Sequence, residues 1–367
     1  MNSFAFVPCG LGHSWYGTNT AFNYVNHAQA PGRNSYRLHT QHSKFYGCQH
    51  VIPLSRHPNS LSPASSSSQR LHMKYGDYTA VMIVPTGINA AIGGFAGDAL
   101  PSARLLASVA DTLITHPNVL NGAMMYWPIP NALYVEGLAL DLFAAGDVSL
   151  QRVASNRIGV VLDCGMEDDM MLRHIQVLDA ARATLGLQVV AYQVTDAPLD
   201  VHLEMGQNHS SWGTLSRPDS LLRAAHELVE KQRCDAIAVV ARFPDDEEDD
   251  DALQLYRQGE GVDEIGGAEA VISHLVVREL GVPCAHAPGL PPLDVDDSVS
   301  PKNAAEELGY TFLPCVLVGL SRAPRLIPAS MLQGNSSVRS DVVDRGDVDA
   351  VILPVMACGG SAFLSLA

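Results

Sequence analysis

The stretch that decides the fold runs from residue 157 to residue 196: RIGVVLDCG (157–165), EDDMMLRHIQVLDAARATLG (167–186) and LQVVAYQVTD (187–196). Its outer parts are continuous apolar runs of strand length. The middle part repeats Met171, His174, Ile175, Leu178, Ala181 and Ala183 at helical spacing and stops at Gly186. Strand, helix and strand of these lengths predict a βαβ unit, with both strands buried in a parallel sheet.

The same alternation extends in both directions. Upstream lie TAVMIV (79–84), ALPSARLLASVAD (99–111), LIT (113–115) and, after a Pro/Asn-rich loop, ALYVEG (132–137). Downstream, SRPDSLLRAAHELVEKQ (216–232) leads into DAIAVVARF (235–243), and GGAEAVISHLVVRELG (266–281) leads into VPCAHAP (282–288). SPKNAAEELGY (300–310) then leads into TFLPCVLVG (311–319), read as a strand, and VDAVILPVMACGGS (348–361) closes the chain. The predicted class is α/β, with alternating strands and helices in one or two largely parallel sheets. A subdivision near 198–216 is compatible with this pattern. The run DDEEDDD (245–251) reads as a solvated loop, because carboxylates this close repel one another.

Composition narrows the function. The chain has 367 residues, 47% apolar and 17% charged, and a net charge of −16. That charge opposes a nucleic-acid-binding surface, which needs clustered Lys and Arg, and no apolar run is long enough to span a bilayer. Residues 1–76 contain no Asp or Glu, six Lys or Arg and the run SPASSSSQ (62–69), whereas 77–367 carries 17 basic against 39 acidic residues. Such an acid-free, Ser-rich start reads as a disordered, transit-peptide-like leader ahead of an α/β domain over 77–367. Cys9 and Cys48 fall in this leader. The other five cysteines are widely spaced without a C-x-x-C pair, as expected of thiols in a reduced compartment.

Ligands of parallel sheets bind beyond the carboxyl ends of the strands. The loop 85–98 supplies Thr86, Gly87, Asn89, Gly93 and Gly94, and its glycines allow close backbone approach to an anion. The segment 115–131 adds His116, Asn118 and Asn121 for directional hydrogen bonds, and Glu136 stands at the next strand end. Further strand ends carry Asp163 and Cys164, then Arg242, then Cys284 and His286 two residues apart on one side of a strand, and finally Cys358, Gly359 and Gly360. Gly266-Gly267 is a second candidate anion site, weakened by Glu269 one turn on, with His274 further along.

Three chemistries suit this set. Cys284 activated by His286 is a candidate nucleophile, with Asp163 and Cys164 as further catalytic candidates. Cys164 paired with Cys358 or Cys284 could exchange a carbon-bound proton. His116, His286, Asp163 or Glu136 could ligate a metal, but no local spacing supports one and no metal is assigned. No cofactor motif is legible.

The segments PTGINAAIGGFAGDALPSARLLASVADTLITHPNVLNGAMMYWPIPNALYVEG (85–137), DAIAVVARFPDD (235–246), GGAEAVISHLVVRELGVPCAHAP (266–288) and ELGYTFLPCVLVGLSRAP (307–324) resemble domain-of-unknown-function family 3326 over residues 79–367. That family occurs in cyanobacteria and photosynthetic eukaryotes, so the resemblance implies a plastid protein of cyanobacterial descent, placed in the stroma by its leader. It implies no activity and assigns no catalytic residue. The expected function is a small-molecule enzyme acting on a phosphate- or carboxylate-bearing metabolite. The alternative is a non-catalytic metabolite-binding regulator. An enzyme predicts a close titratable pair in the pocket; a sensor predicts amides and backbone N–H groups only.

Overall fold

The structure is a computed structural model and describes residues 4–8, 77–87, 95, 97–206, 210–245, 251–291, 295–309, 312–332 and 341–367. The first part of the chain runs β1 (Phe4–Pro8), β2 (Thr79–Met82), α1 (Leu100–Ala107), β3 (Thr112–Thr115), α2 (Pro117–Met124), β4 (Ala132–Tyr134), α3 (Gly137–Ala145) and β5 (Val148–Gln151). The βαβ unit follows as β6 (Ile158–Leu162), α4 (Asp168–Leu185) and β7 (Val189–Val194). Then come β8 (Val201–Met205), β9 (Ser211–Leu215), α5 (Pro218–Glu230), β10 (Ala236–Arg242), α6 (Asp251–Arg257), α7 (Gly266–Leu280) and β11 (Cys284–Gly289). The chain ends with α8 (Ala304–Glu307), α9 (Leu313–Ser321), β12 (Arg325–Pro328), α10 (Ala329–Leu332), β13 (Val342–Val343), β14 (Val348–Pro354) and α11 (Ser361–Leu366).

Two parallel sheets result. The first has the order β1-β14-β2-β3-β4, parallel except for β1, which pairs antiparallel with β14 and lies within the segment read as a leader. The second, β11-β10-β6-β7, is parallel throughout. An antiparallel trio β12-β5-β13 and the hairpin β8-β9 complete the architecture.

The inner strands β14, β2 and β3 of the first sheet and β10 and β6 of the second are buried on both faces, which is why they read as unbroken apolar runs. One apolar layer takes Ala80 and Met82 from β2 and Ala236, Ala238 and Val240 from β10; the other takes Val81 and then Ile237 and Val239. Alternate side chains of each strand therefore feed different layers, and each layer runs across both sheets. At ~1.5–3 kcal/mol per fully buried aliphatic side chain, these layers hold the fold together. The small Ala rows on β10 and β11 let α9 pack closely on these strands.

Two segments differ from the sequence expectation. TFLPCVLVG does not form a strand: it folds as α9, with Pro314 in the first turn and seven of its nine residues buried. A continuous apolar run has no periodicity to separate buried strand from buried helix, and α9 is covered on several sides by α2, α4, β10 and β11. The Pro/Asn-rich stretch after β3 is not a plain loop, because Pro117 starts α2 and His116 takes the extended N-cap position (φ −85°, ψ 159°).

α7 and α9 join the two sheets. α7 contacts α3, α5 and β11, and α9 contacts α2, β10 and β11. The carboxyl-end loops of the first sheet thereby meet the β11 edge of the second.

Candidate functional site

A cavity of about 320 Å³ lies at that meeting. The first sheet brings Thr86 after β2, His116, Asn118 and Asn121 around the start of α2, and Glu136 after β4. The second sheet brings His286 from β11. Gly360 closes the rim beyond β14.

Glu136 is doubly fixed. It is the N-cap of α3, and its Oε2 accepts a hydrogen bond from the Ala139 N–H at 3.1 Å. Its Oε1 lies 2.9 Å from His274 Nε2, with only 5% of the Glu136 side chain exposed. A second pair stands beside it: His286 Nε2 is 3.4 Å from Glu269 Oε2, and His286 Nδ1 is 2.5 Å from the Oγ of Ser273. α7 contributes one partner to each pair, His274 to the first and Glu269 to the second, so a single helix aligns both. Ser273 is fully buried behind His286 and orients its ring.

Burial and Glu136 set the imidazoles apart. His116 is held below the ordinary histidine value: burial lowers it, and the raising effects of Glu136, of Asp141 and of a hydrogen bond to the Val135 backbone do not compensate. His274 goes the other way. Burial opposes its charge, but the Glu136 hydrogen bond and charge, helped by Asp141, outweigh it and raise its pKa. Asp263, also lining the cavity, is pushed well above the carboxylate range by burial and by the nearby Glu306 and Glu269. The site therefore sets two imidazoles whose proton affinities are pushed in opposite directions beside a carboxyl whose charged form is disfavoured.

The His274 shift has a measurable consequence. A group whose folded pKa is raised contributes stability that is full below its unfolded value, about 6.5, and lost as pH rises through the folded value. His274→Gln is expected to flatten the alkaline decline of the urea midpoint relative to wild type. Parallel midpoint curves over that window would contradict the raised pKa.

Thr86, His116, Asn118, Asn121, His286 and Gly360 share the cavity, while Gly87 and Gly359 adjoin it in sequence. Asn89, Gly93 and Gly94 lie outside the described residues. Asp163 and Arg242 do not join them; they line a separate pocket beyond β6 and β10. Asp163, 1% exposed, accepts backbone N–H groups from Gly165 (2.9 Å), Leu199 (3.1 Å) and Arg242 (3.0 Å), so it ties loops together. The Arg242 guanidinium is held by Glu167 at 2.9 Å and Asp245 at 2.6 Å.

The thiol chemistry is not supported by the geometry. Cys284 is 1% exposed, and burial pushes its thiol well above the usual value, which disfavours a nucleophilic thiolate. His286 turns to Ser273 and Glu269 instead. Cys164 is engaged through its backbone N–H with Thr195 Oγ1 at 2.9 Å. No cysteine occurs among the described lining residues, so the two-thiol arrangement does not form there. Among the described residues, no three His, Cys, Asp or Glu converge as metal ligands.

The expected anion cradle at Gly266-Gly267 is filled by the protein itself. Asp263 accepts from Ile265 N at 3.1 Å and from the Gly266 backbone, and Ser211 Oγ accepts from Gly267 N at 3.2 Å. Asp141, Asp263 and Glu306 had no strand-end position to mark them; Glu269 read only as an obstacle to an anion, and His274, further along the same helix, drew no role.

Fold and site together define an α/β protein of two parallel sheets with an acid–base cavity between them. The chain belongs to the family described as "Protein of unknown function (DUF3326)", whose model matches residues 79–367. It is 61% identical over 286 residues to an uncharacterized lipoprotein of the cyanobacterium Synechococcus sp., covering 78% of this chain and 77% of that protein. No solved structure matches.

Proposed function

We propose that the protein is an enzyme of small-molecule metabolism working by general acid–base catalysis in this cavity. The carrying observation is Glu136 at 2.9 Å from His274, with His116 facing the same space and interacting with the same carboxylate. Neutral His116 is the base that accepts a proton from the substrate. Charged His274, steadied by Glu136, is the acid that returns one. The hydrogen-bonded His–carboxylate pair inside a pocket favours this reading over a non-catalytic metabolite-binding regulator, for which amides and backbone donors alone would suffice.

The acid-free composition of residues 1–76 and the cyanobacterial relative support import into a plastid, with the stroma as destination. On this reading residues 1–76 are a leader and 77–367 the working domain.

The test is incubation of the protein with a small-molecule extract in heavy water, read by mass spectrometry. The proposal expects one compound to be consumed or to gain solvent deuterium, and this change to vanish with His116→Gln. A compound that binds without conversion or labelling would make the protein a binder, and an extract with no changed compound would sink the catalytic reading.

A further inference from the structure

We infer that the cavity takes a small organic cation bearing a carbonyl oxygen, an ammonium next to an amide or ketone, rather than a phosphate or carboxylate. This deepens the proposed function and rests on the cavity being the functional site.

The lining charge comes first. Glu136, Asp141, Glu269 and Glu306 line the space beside Asp263, whose charge burial opposes, and no Lys or Arg stands among the described lining residues. An anion entering there would be desolvated against carboxylates, and the imidazoles of His274 and His286 are already engaged by Glu136 and Glu269. Glu269 also occupies the first turn of α7, where the positive helix end would otherwise attract an anion. The neighbouring Gly266 and Gly267 N–H groups already have acceptors within the protein.

A separate observation supplies the other half of the ligand. Asn121 is 7% exposed and lines the cavity. Its Oδ1 accepts from the Tyr134 hydroxyl at 2.7 Å, which fixes the amide orientation and turns Nδ2 away from Tyr134. Nδ2 has no hydrogen-bond acceptor among the described residues and is not sealed off, so it is open to the cavity that Asn121 lines. A carbonyl oxygen is the complement it lacks. Glu269, held on α7 beside His286, is the carboxylate placed to receive the ammonium.

The probes are glycinamide, acetamide and inorganic phosphate, added to the full chain in a thermal-shift titration. The inference expects glycinamide to raise the melting temperature progressively, acetamide to do so less, and phosphate not at all. Glu269→Gln should weaken the glycinamide effect about tenfold or more, as loss of a charge-assisted contact does. Added salt should weaken it in the wild type as well, which reads the charge even if the variant folds poorly. A phosphate shift equal to or larger than that of glycinamide, no glycinamide shift, or a glycinamide shift indifferent to both salt and Glu269→Gln would overturn it. The acid–base reading stands or falls separately, because the order of histidine protonation is read without any ligand.

Discussion

Replacing Asp163 by Ala is expected to destabilise the protein by roughly 3–6 kcal/mol, a large share of the ~5–15 kcal/mol that holds a typical domain. The carboxylate sits at the end of β6, the central strand of its sheet next to β10. It is almost fully buried, and it accepts the backbone N–H groups of Gly165, Leu199 and Arg242. Gly165 and Leu199 lie in the loops after β6 and β7, and Arg242 is the last residue of β10. Each donor left without an acceptor in a buried place costs about 1–3 kcal/mol, less where water enters. Asp163→Asn should lose less: one oxygen can keep the two bonds from Gly165 and Leu199, while the amide nitrogen then faces the Arg242 N–H as donor against donor. Urea unfolding measures the order wild type, Asn, Ala. An Ala variant within about 0.5 kcal/mol of wild type, the range of an ordinary surface change, would refute this role.

The second large effect falls on turnover. Glu136→Gln keeps an oxygen able to cap α3 through Ala139 N but removes the charge that holds the His274 proton. Once a substrate is in hand, this change is expected to lower kcat by about 10²–10⁴, the usual contribution of a positioned acid or base. His116→Gln should cost a similar factor. The double variant should lose much less than the product, because the two imidazoles and one carboxylate act as a unit. Melting temperature of Glu136→Gln should move little beside the Asp163 variant. A kcat within threefold of wild type for both single variants would remove the pair from the mechanism.

How far the sequence carried these conclusions depends on what each residue pattern could express. The eight parallel strands of the two sheets were legible, because largely buried strands read as apolar runs between a helix stop and a Gly- or Pro-rich loop, whereas β1, inside the segment read as a leader, was not. The same uniformity disguised α9, where apolar residues all round mean a helix enclosed by its neighbours. Short antiparallel strands such as β13, two residues long, carry too little pattern to see. At the site, the rule of strand carboxyl ends found His116, Asn121 and His286. It also grouped Asp163 and Arg242 with them, since each stands in the same relation to its own strand. Strand order separates them: β11 is the edge that meets the first sheet through α7 and α9, whereas β6 lies further into its sheet, and the loops beyond β6 and β10 make a pocket of their own. The acidic partners Asp263 and Glu269, before and within α7, belong to no strand end at all.

Nor does Arg242 offer an unpaired cation to an anionic ligand. Its charge is answered by Glu167 and Asp245 in the second pocket, away from the histidines. The acidic character of the cavity and the paired state of Arg242 point the same way.

The most direct measurement is an NMR titration of the imidazole nitrogens, assigned by His116→Gln and His274→Gln. The acid–base account predicts that His116 gains its proton below the ordinary histidine range and His274 above it, so that near pH 6.5 one ring is mainly neutral while the other is mainly charged. Two rings titrating together at the ordinary value, or in the reverse order, would contradict it.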